Sequence, residues 1–427
     1  MSLTTLLFLL FLAAPALAQV PQDTLPLLTP DEVAARVLAQ NPTVLVARLE
    51  RAIAERDATL GNAGFLPTLS LDATQRRVPT RPDLSFRTDN YLLDASANAR
   101  VTVFEGLARF ARYRGLQAQA RARAFDAEAT AERVLADALV TYYDVARQQE
   151  QLRVLREAVA LSDERLRIAD GRRTVGAASE LEVRRALVDL NADRAALLRQ
   201  ENVLTQSKAF LAQLLDRPGA AFRVADSIAV DRALALAALE DAALASSPDL
   251  RAAEASVEAS EETRTAVRRE LWPRLDLTAG YALSDVTDPL LPPAQAGGFS
   301  YGFTATFDLF DANDRRRRLG NADLRTQQQE ALLGQARTAL LTSLASTHTV
   351  YRRSLALVAL EEENVEAARQ NVTVALERFR LGVSTSLELR EVQRALTDTQ
   401  SRRAAARFEA KQAEIELRTL SSGLLPR

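Results

Sequence analysis

Leu275-Asp276-Leu277-Thr278-Ala279-Gly280-Tyr281-Ala282-Leu283-Ser284 alternates apolar and polar residues along its whole length. Phe299-Ser300-Tyr301-Gly302-Phe303-Thr304-Ala305-Thr306-Phe307-Asp308-Leu309 does the same. A period of two places all the apolar side chains of a strand on one face and all the polar ones on the other. The first half of the chain carries the same pattern, with Leu93, Ala95, Ala97, Ala99, Val101 and Val103 against Asp94, Ser96, Asn98, Arg100 and Thr102. Strands are expected at about 67–78, 91–103, 273–285 and 299–309. Between the members of each pair lie Pro/Asp/Gly-rich loops, about 79–90 and 286–298.

Working outward, the chain repeats itself. Asn41-Pro42 has its counterpart in Ser247-Pro248, an offset of 206 from one proline to the other. The same offset carries Phe65-Leu66-Pro67 onto Leu271-Trp272-Pro273, Phe104 onto Phe310, Arg109 onto Arg315 and Gly176 onto Gly382. Five landmarks in one order with no insertion imply two copies of one structural unit. Their expected extents are 19–219 and 237–427, joined by a linker at 220–236.

Each copy opens with an Ala-, Glu- and Arg-rich helical segment, about 30–65 and 237–271, whose ends we place at Pro67 and Pro273. Thr29-Pro30 suits the start of the first. Beyond the strands, residues 116–170 and 335–381 contain neither Gly nor Pro and predict very long helices. Return helices follow tip turns at about 171–179 and 380–386. Leu190, Leu197, Leu204 and Leu211 stand seven apart on the first return, the spacing of a coiled-coil seam.

Composition narrows the function. Among 427 residues, 54 basic and 56 acidic side chains leave a net charge of −2, so no general attraction to nucleic acid is expected. The absence of cysteine excludes disulfides and thiolate chemistry. His348 is the lone histidine, no calcium-loop spacing or phosphate-binding glycine loop occurs, and no catalytic, metal or cofactor site is expected. Leu6 to Leu12 followed by Ala16-Leu17-Ala18 reads as a signal peptide over 1–18, with Gln19 rather than a lipidated Cys after the cleavage site. In an exported chain, four two-faced strands of about ten residues suit a transmembrane barrel. Four strands are too few to close one, so several copies must share it.

The signal peptide, the duplicated helix–strand–strand–helix–helix unit, the Phe104-Glu105-Gly106 and Phe310-Asp311-Ala312 junctions, and the tips together resemble the TolC-type outer-membrane efflux proteins. The tip pattern reads Gly176, Ser179, Leu181, Glu182 and again Gly382, Thr385, Leu387, Glu388. The resemblance implies a mainly α fold with a small transmembrane β-barrel portion. In it three copies share one barrel in outer-membrane lipid, above a long coiled-coil helical tunnel in the periplasm. It implies a passive export channel, partnered by a periplasmic adaptor (membrane fusion protein) and an inner-membrane pump. Glu182, Glu388, Glu391 and Phe379 would form the gate and selectivity ring. Val175, Gly176, Ala177, Leu381, Gly382 and Val383 would dock the adaptor. Phe379 stands where the family often has Tyr, and Ser384 where an Arg can lock the closed state.

Structural readings stand beside these. Acids in the first turn of a helix complement its dipole, and Gly176 and Gly382 suit left-handed helix ends. Arg109, Arg112, Arg114 and Arg315 to Arg318 suit either lipid phosphates or a solvated helix face paired with acids. The outer channel of a type I protein secretion system shares this scaffold, and a periplasmic coiled-coil scaffold would explain the helices but not the strands.

Overall fold

The computed structural model describes residues 26–79, 89–287 and 294–425, so the expected signal peptide lies outside the described residues. A short strand β1 (Leu27–Leu28) precedes helices α1 (Pro30–Gln40) and α2 (Pro42–Asp57), strands β2 (Thr68–Pro79) and β3 (Asp89–Glu105), and helices α3 (Ala108–Thr174) and α4 (Glu180–Leu214). After β4 (Arg223–Val224) the order recurs as α5 (Leu236–Ser246), α6 (Pro248–Arg269), β5 (Arg274–Thr287), β6 (Ala294–Thr306), α7 (Asp314–Arg380) and α8 (Ser386–Leu420). Both long helices have 67 residues and both returns have 35. At 1.5 Å per residue the long helices each extend about 100 Å.

Local chemistry sets the boundaries. Thr29 and Glu32 exchange side-chain-to-backbone hydrogen bonds at 3.2 and 3.3 Å, a capping box with Pro30 at the first helical position. The opening helical segments are each broken in two, because Pro42 and Pro248 have no N–H to donate and begin new helices. Pro67 does not end α2, which stops ten residues earlier at Asp57. There Asn62 Nδ2 donates to the Asp57 carbonyl at 2.9 Å and Thr59 Oγ1 accepts from the Asn62 amide at 3.2 Å, so a side-chain-built turn ends the helix before the proline is reached.

The chain forms two compact units. One comprises Arg36–Val140, Ala229–Glu363 and Ala406–Arg427 and contains an antiparallel sheet of order β2-β3-β5-β6. Register aligns Leu71, Ala97, Tyr281 and Phe299 across one face, and Asp72, Ser96, Ala282 and Gly298 across the other. The apolar face is open: Leu69, Leu71, Tyr301 and Phe303 are 76–82% exposed. The polar face is cross-linked, with Thr102 Oγ1 donating to Asp276 at 2.7 Å, Ser284 Oγ to Asp94 at 2.7 Å and Asn98 Nδ2 to Asp72 at 3.3 Å.

A β-bulge interrupts β3, since Thr102 faces Asp276 while Phe104 faces Leu275. Val103, which fits the apolar alternation in sequence, is the extra residue; the bulge resets the parity so that Phe104 joins Leu275 on the apolar face. Strand β6 also departs from expectation. It begins at Ala294, inside the expected loop, because Ala294 to Gly298 find partners on β5, and it ends at Thr306, leaving residues 307–309 outside any strand.

Helices of this unit pack through Leu239 and Ala243 of α5, Leu344 and Tyr351 of α7, and Ala413 and Leu417 of α8. Most arginines of the strand-to-helix junctions are ion-paired. Arg112 meets Glu105 at 3.1 Å, Arg114 meets Glu262 at 2.6 Å, Arg315 meets Asp308 and Asp311 at 3.0 Å, and Arg318 meets Glu270 at 2.5 Å. Arg109 donates to the Val103 carbonyl. Acids and carbonyls of the chain thus meet Arg109, Arg112, Arg114, Arg315, Arg317 and Arg318, as the paired-face reading expects, while Arg316 is exposed.

The other unit comprises the described part of Met1–Ala35, with Thr141–Ile228 and Asn364–Ala405. Here β1 and β4 pair in parallel and are pinned to α3: the Tyr142 hydroxyl donates to the Leu28 carbonyl and accepts from the Ala225 amide, both at 3.1 Å. Along α4, Leu190, Leu204 and Leu211 are buried and Leu197 half-buried, as a packed seam requires.

Gly106 is where a side chain is least tolerable. Its φ is +62°, and a Cβ there would lie 2.5 Å from the Arg269 carbonyl oxygen and 2.7 Å from Trp272 Cβ. Gly106→Ala should cost on the order of 1–3 kcal/mol or more, read as a lowered denaturation midpoint. Gly176→Ala, also left-handed but with open space around it, should cost only about 1 kcal/mol. Equal midpoints for the two variants would contradict the close approach at Gly106.

Candidate functional site: the paired helical tips

The turns joining α3 to α4 and α7 to α8 are copies of one another. In the first, the Ala177 amide donates to the Arg172 carbonyl at 2.8 Å and the Gly176 amide to that of Arg173 at 3.0 Å. In the second, Val383 donates to Arg378 at 2.9 Å and Gly382 to Phe379 at 3.1 Å. This double bond around a residue of positive φ, +77° at Gly176 and +74° at Gly382, satisfies carbonyls that the helix end would otherwise orphan. Each return helix is then capped: Ser179 Oγ accepts from the Glu182 amide at 3.3 Å and Thr385 Oγ1 from the Glu388 amide at 3.2 Å.

The candidate gate acids are placed unequally. Glu182 lies 3.9 Å from Arg172 and Glu388 lies 3.5 Å from Arg378, so each turn is bridged by the same ion pair at positions 206 apart. Glu391 is exposed and has no ion-pair partner among the described residues. Its counterpart in the first copy is Arg185, so the acid is present once. Phe379 is wholly buried, packed with Ala375 and Leu389 against Ile168, Leu376 and Val392, and its ring lies under the Arg172 guanidinium at 5.2 Å. It is a core residue holding the two hairpins together. Ser384 is buried, and its Oγ has no hydrogen-bond partner among the described residues.

The tip apexes are apolar and exposed. Val175, Leu381 and Leu387 are 77–78% accessible and Val383 67%. Gly176, Ala177 and Gly382 are also exposed.

Sequence reasoning missed the charged knot just behind the tips. Arg390 of α8 grips Asp193 of α4 in bidentate fashion, at 2.7 and 3.0 Å, and lies 3.8 Å from Asp189. Asp189 also holds Arg165 of α3 at 2.6 Å, with the Arg165 side chain fully buried. Burial lowers the Arg165 pKa, opposed by the charge and hydrogen bond of Asp189. At Arg390 burial also works against the charged form, but the hydrogen bond and charge of Asp193, with the charge of Asp189, outweigh it and raise the pKa. Further ties join the hairpins, Arg380 to Glu164 at 3.0 Å and Arg403 to the buried Glu150 at 2.8 Å. The one hint in sequence is that Asp189 and Asp193 share a helix face at i, i+4; their partners stand far along the chain.

No described helix is long and apolar enough to cross a membrane, and no cluster of three or more His, Asp or Glu is placed to hold a metal among the described residues. A two-faced antiparallel sheet with an open apolar face and duplicated long helical hairpins make the fold that of an outer membrane efflux protein. The chain belongs to the outer membrane efflux protein family, whose model matches residues 33–217 and again 239–423, two matches beginning 206 residues apart. It is similar to the pyoverdine export outer membrane protein OpmQ of Pseudomonas aeruginosa, 26% identical over 396 residues that cover 89% of this chain and 81% of that one. Protein CyaE of Bordetella pertussis is 28% identical over 230 residues, 52% of this chain and 48% of its own. The fold matches the outer-membrane channel OprN with a TM-score of 0.77 at 19% identity, covering 92% of this chain and 90% of that one. It also matches VceC of Vibrio cholerae with a TM-score of 0.76 at 17% identity, covering 92% and 96%. This chain is an efflux protein of the outer membrane.

The knot behind the tips supplies a stability test. Asp193→Asn leaves the half-neutralised Arg390 in a buried place, and should destabilise by about 1–3 kcal/mol. Adding Arg390→Met should recover much of that loss. Additive losses in a double-mutant cycle, measured by denaturant unfolding, would show that the pair is not coupled.

Proposed function

We propose that three copies of this chain form a passive exit duct, without catalysis, whose helical tips dock a periplasmic adaptor joined to an inner-membrane pump. The observation that carries this reading is an exposed apolar apex at both turns, Val175 at the first and Leu381, Val383 and Leu387 at the second, on capped loops. An adaptor would cover Val175, Gly176 and Ala177 at one tip and Leu381, Gly382 and Val383 at the other. Likeness to a pyoverdine exporter along most of the chain favours a small-molecule cargo.

Within this duct Glu182, Glu388 and Glu391 are the acids of the periplasmic entrance. Arg172 and Arg378 compensate the first two within the chain, which leaves Glu391 as the acid whose field reaches passing ions most fully. Phe379 contributes by packing, holding Arg172 over its ring, rather than by lining the path.

The test is electrical. Glu388→Gln with Glu391→Gln should fold normally, lower cation preference in a planar bilayer and weaken block by multivalent cations. Glu391→Gln alone should produce most of the change. Unchanged reversal potential and unchanged block in the double variant would remove these acids from the entrance.

A further inference from the structure

A trough of about 1050 Å³ opens between α2, α3, α6 and α7, all within the unit that carries the four-stranded sheet. Its lining is one surface built twice. Shifted by 206 residues, the four lining positions of α2 fall on the four of α6, where Glu50 becomes Ser256 and Asp57 becomes Thr263. The three lining positions of α7 fall in the same way on positions of α3, so that Gln119 becomes Arg325 and Arg123 becomes Gln329. The concave face is therefore a property of the repeated unit, and charge is where its two copies part.

Glu50 and Asp57 are exposed on α2, and neither carboxylate has an ion-pair or hydrogen-bond partner among the described residues. Their counterparts on α6 are neutral and already engaged, Ser256 Oγ donating to the Ala252 carbonyl and Thr263 Oγ1 to that of Ala259, both at 2.8 Å. On α7, Arg325 is exposed and unpaired among the described residues. Arg123 of α3, the other cation of the lining, lies 3.4 Å from Asp126 on its own helix. Elsewhere on these helices Arg51 holds Glu55, Arg121 holds Glu258 and Arg264 holds Asp323. Within the trough, then, uncompensated acid stands only on α2 and uncompensated cation only on α7. Gln119, Gln328 and Gln329 add side-chain amides, each able to donate and to accept. Opposite charges on separate walls of one concavity set up a field across it, and low-dielectric walls concentrate that field.

We propose that this trough is a transient binding site for small zwitterionic solutes rich in amide or hydroxyl groups, taking the amine end at Glu50 and Asp57, the carboxylate end at Arg325, and the polar middle at the three glutamines. Its volume suits one such molecule, since pockets for drug-sized ligands run to roughly 1,000 Å³. The site rests on the duct reading above and adds to it the class of solute that the duct holds in passing. Three exposed charges and a few amides give weak binding, as passage requires, because a site that grips too hard cannot release.

The probe is a short glycine–serine peptide with both ends free, compared with the same peptide acetylated at its amine, amidated at its carboxylate, or capped at both. Affinities are read by ligand-observed NMR titration of the full chain in detergent. The free peptide should bind in the millimolar range, and capping either end should weaken it about two- to fivefold, the worth of one solvent-exposed ion pair. Arg325→Gln should erase the preference for a free carboxylate and keep that for a free amine. Glu50→Gln with Asp57→Asn should do the reverse. Equal affinities for all four peptides would overturn the site. So would end preferences that survive these substitutions while thermal stability falls, since the three charges would then serve packing. Conductance in a planar bilayer separates the two readings. A conducting channel without end preferences loses the site and keeps the duct, whereas a chain that shows both preferences and conducts nothing keeps the site and loses the duct.

Discussion

Hydrocarbon offers no hydrogen bonds, and a sheet placed in it must leave no edge. An unpaired backbone amide or carbonyl there costs several kcal/mol, more than the burial of any single side chain returns. This chain brings four antiparallel strands with an open apolar face and two free edges, so the duct proposed above needs further copies to close the sheet. The internal repeat supplies the remedy, because its first and last strands are the same kinds of strand that already meet at the middle of the sheet. Side-chain chemistry follows the same division. Aromatic and aliphatic residues stand exposed on one face, while Asp72, Asp94 and Asp276 are held by neighbouring Asn, Ser and Thr on the opposite face.

The helical part answers a different constraint. Helices of 67 residues gain little from local propensity alone and need packing along their length. In the unit that carries the tips much of the packing between hairpins is polar: Arg390 with Asp193, Arg380 with Glu164, Arg403 with Glu150 and Gln400 with Glu157. Buried ion pairs add little net stability compared with apolar packing, but they penalise wrong registers because each partner left alone is costly. Such an interface defines one arrangement of long parallel surfaces that apolar ridges alone would let slide.

Much of this was legible in sequence, and the parts that were not share a cause. The alternation at Leu275–Leu283, the 206-residue offset and the tip glycines are local or repeated signals, and the strands, long helices and turns form around them. The bulge at Val103 was hidden because an apolar residue there satisfies the alternation, and only the pairing with Asp276 and Leu275 shows the reset. The end of α2 depends on where the Asn62 side chain turns. Phe379 reads as a gate residue by position and is a core residue in fact, because Ile168 and Arg172 of the other hairpin cover it. The Arg165–Asp189–Arg390–Asp193 knot joins residues 24 to 201 apart in sequence, and nothing in composition announces which charges will meet.

Hydrogen exchange of the detergent-solubilised assembly tests the central claim most directly, because the outward-facing amides of β2 and β6 are the groups that assembly must satisfy. If the edges are closed by copies of the chain, those amides exchange as slowly as the amides of β3 and β5, which are paired on both sides within the chain. Outward amides of β2 and β6 that exchange at the rate of solvent-exposed backbone, beside protected β3 and β5, would contradict it.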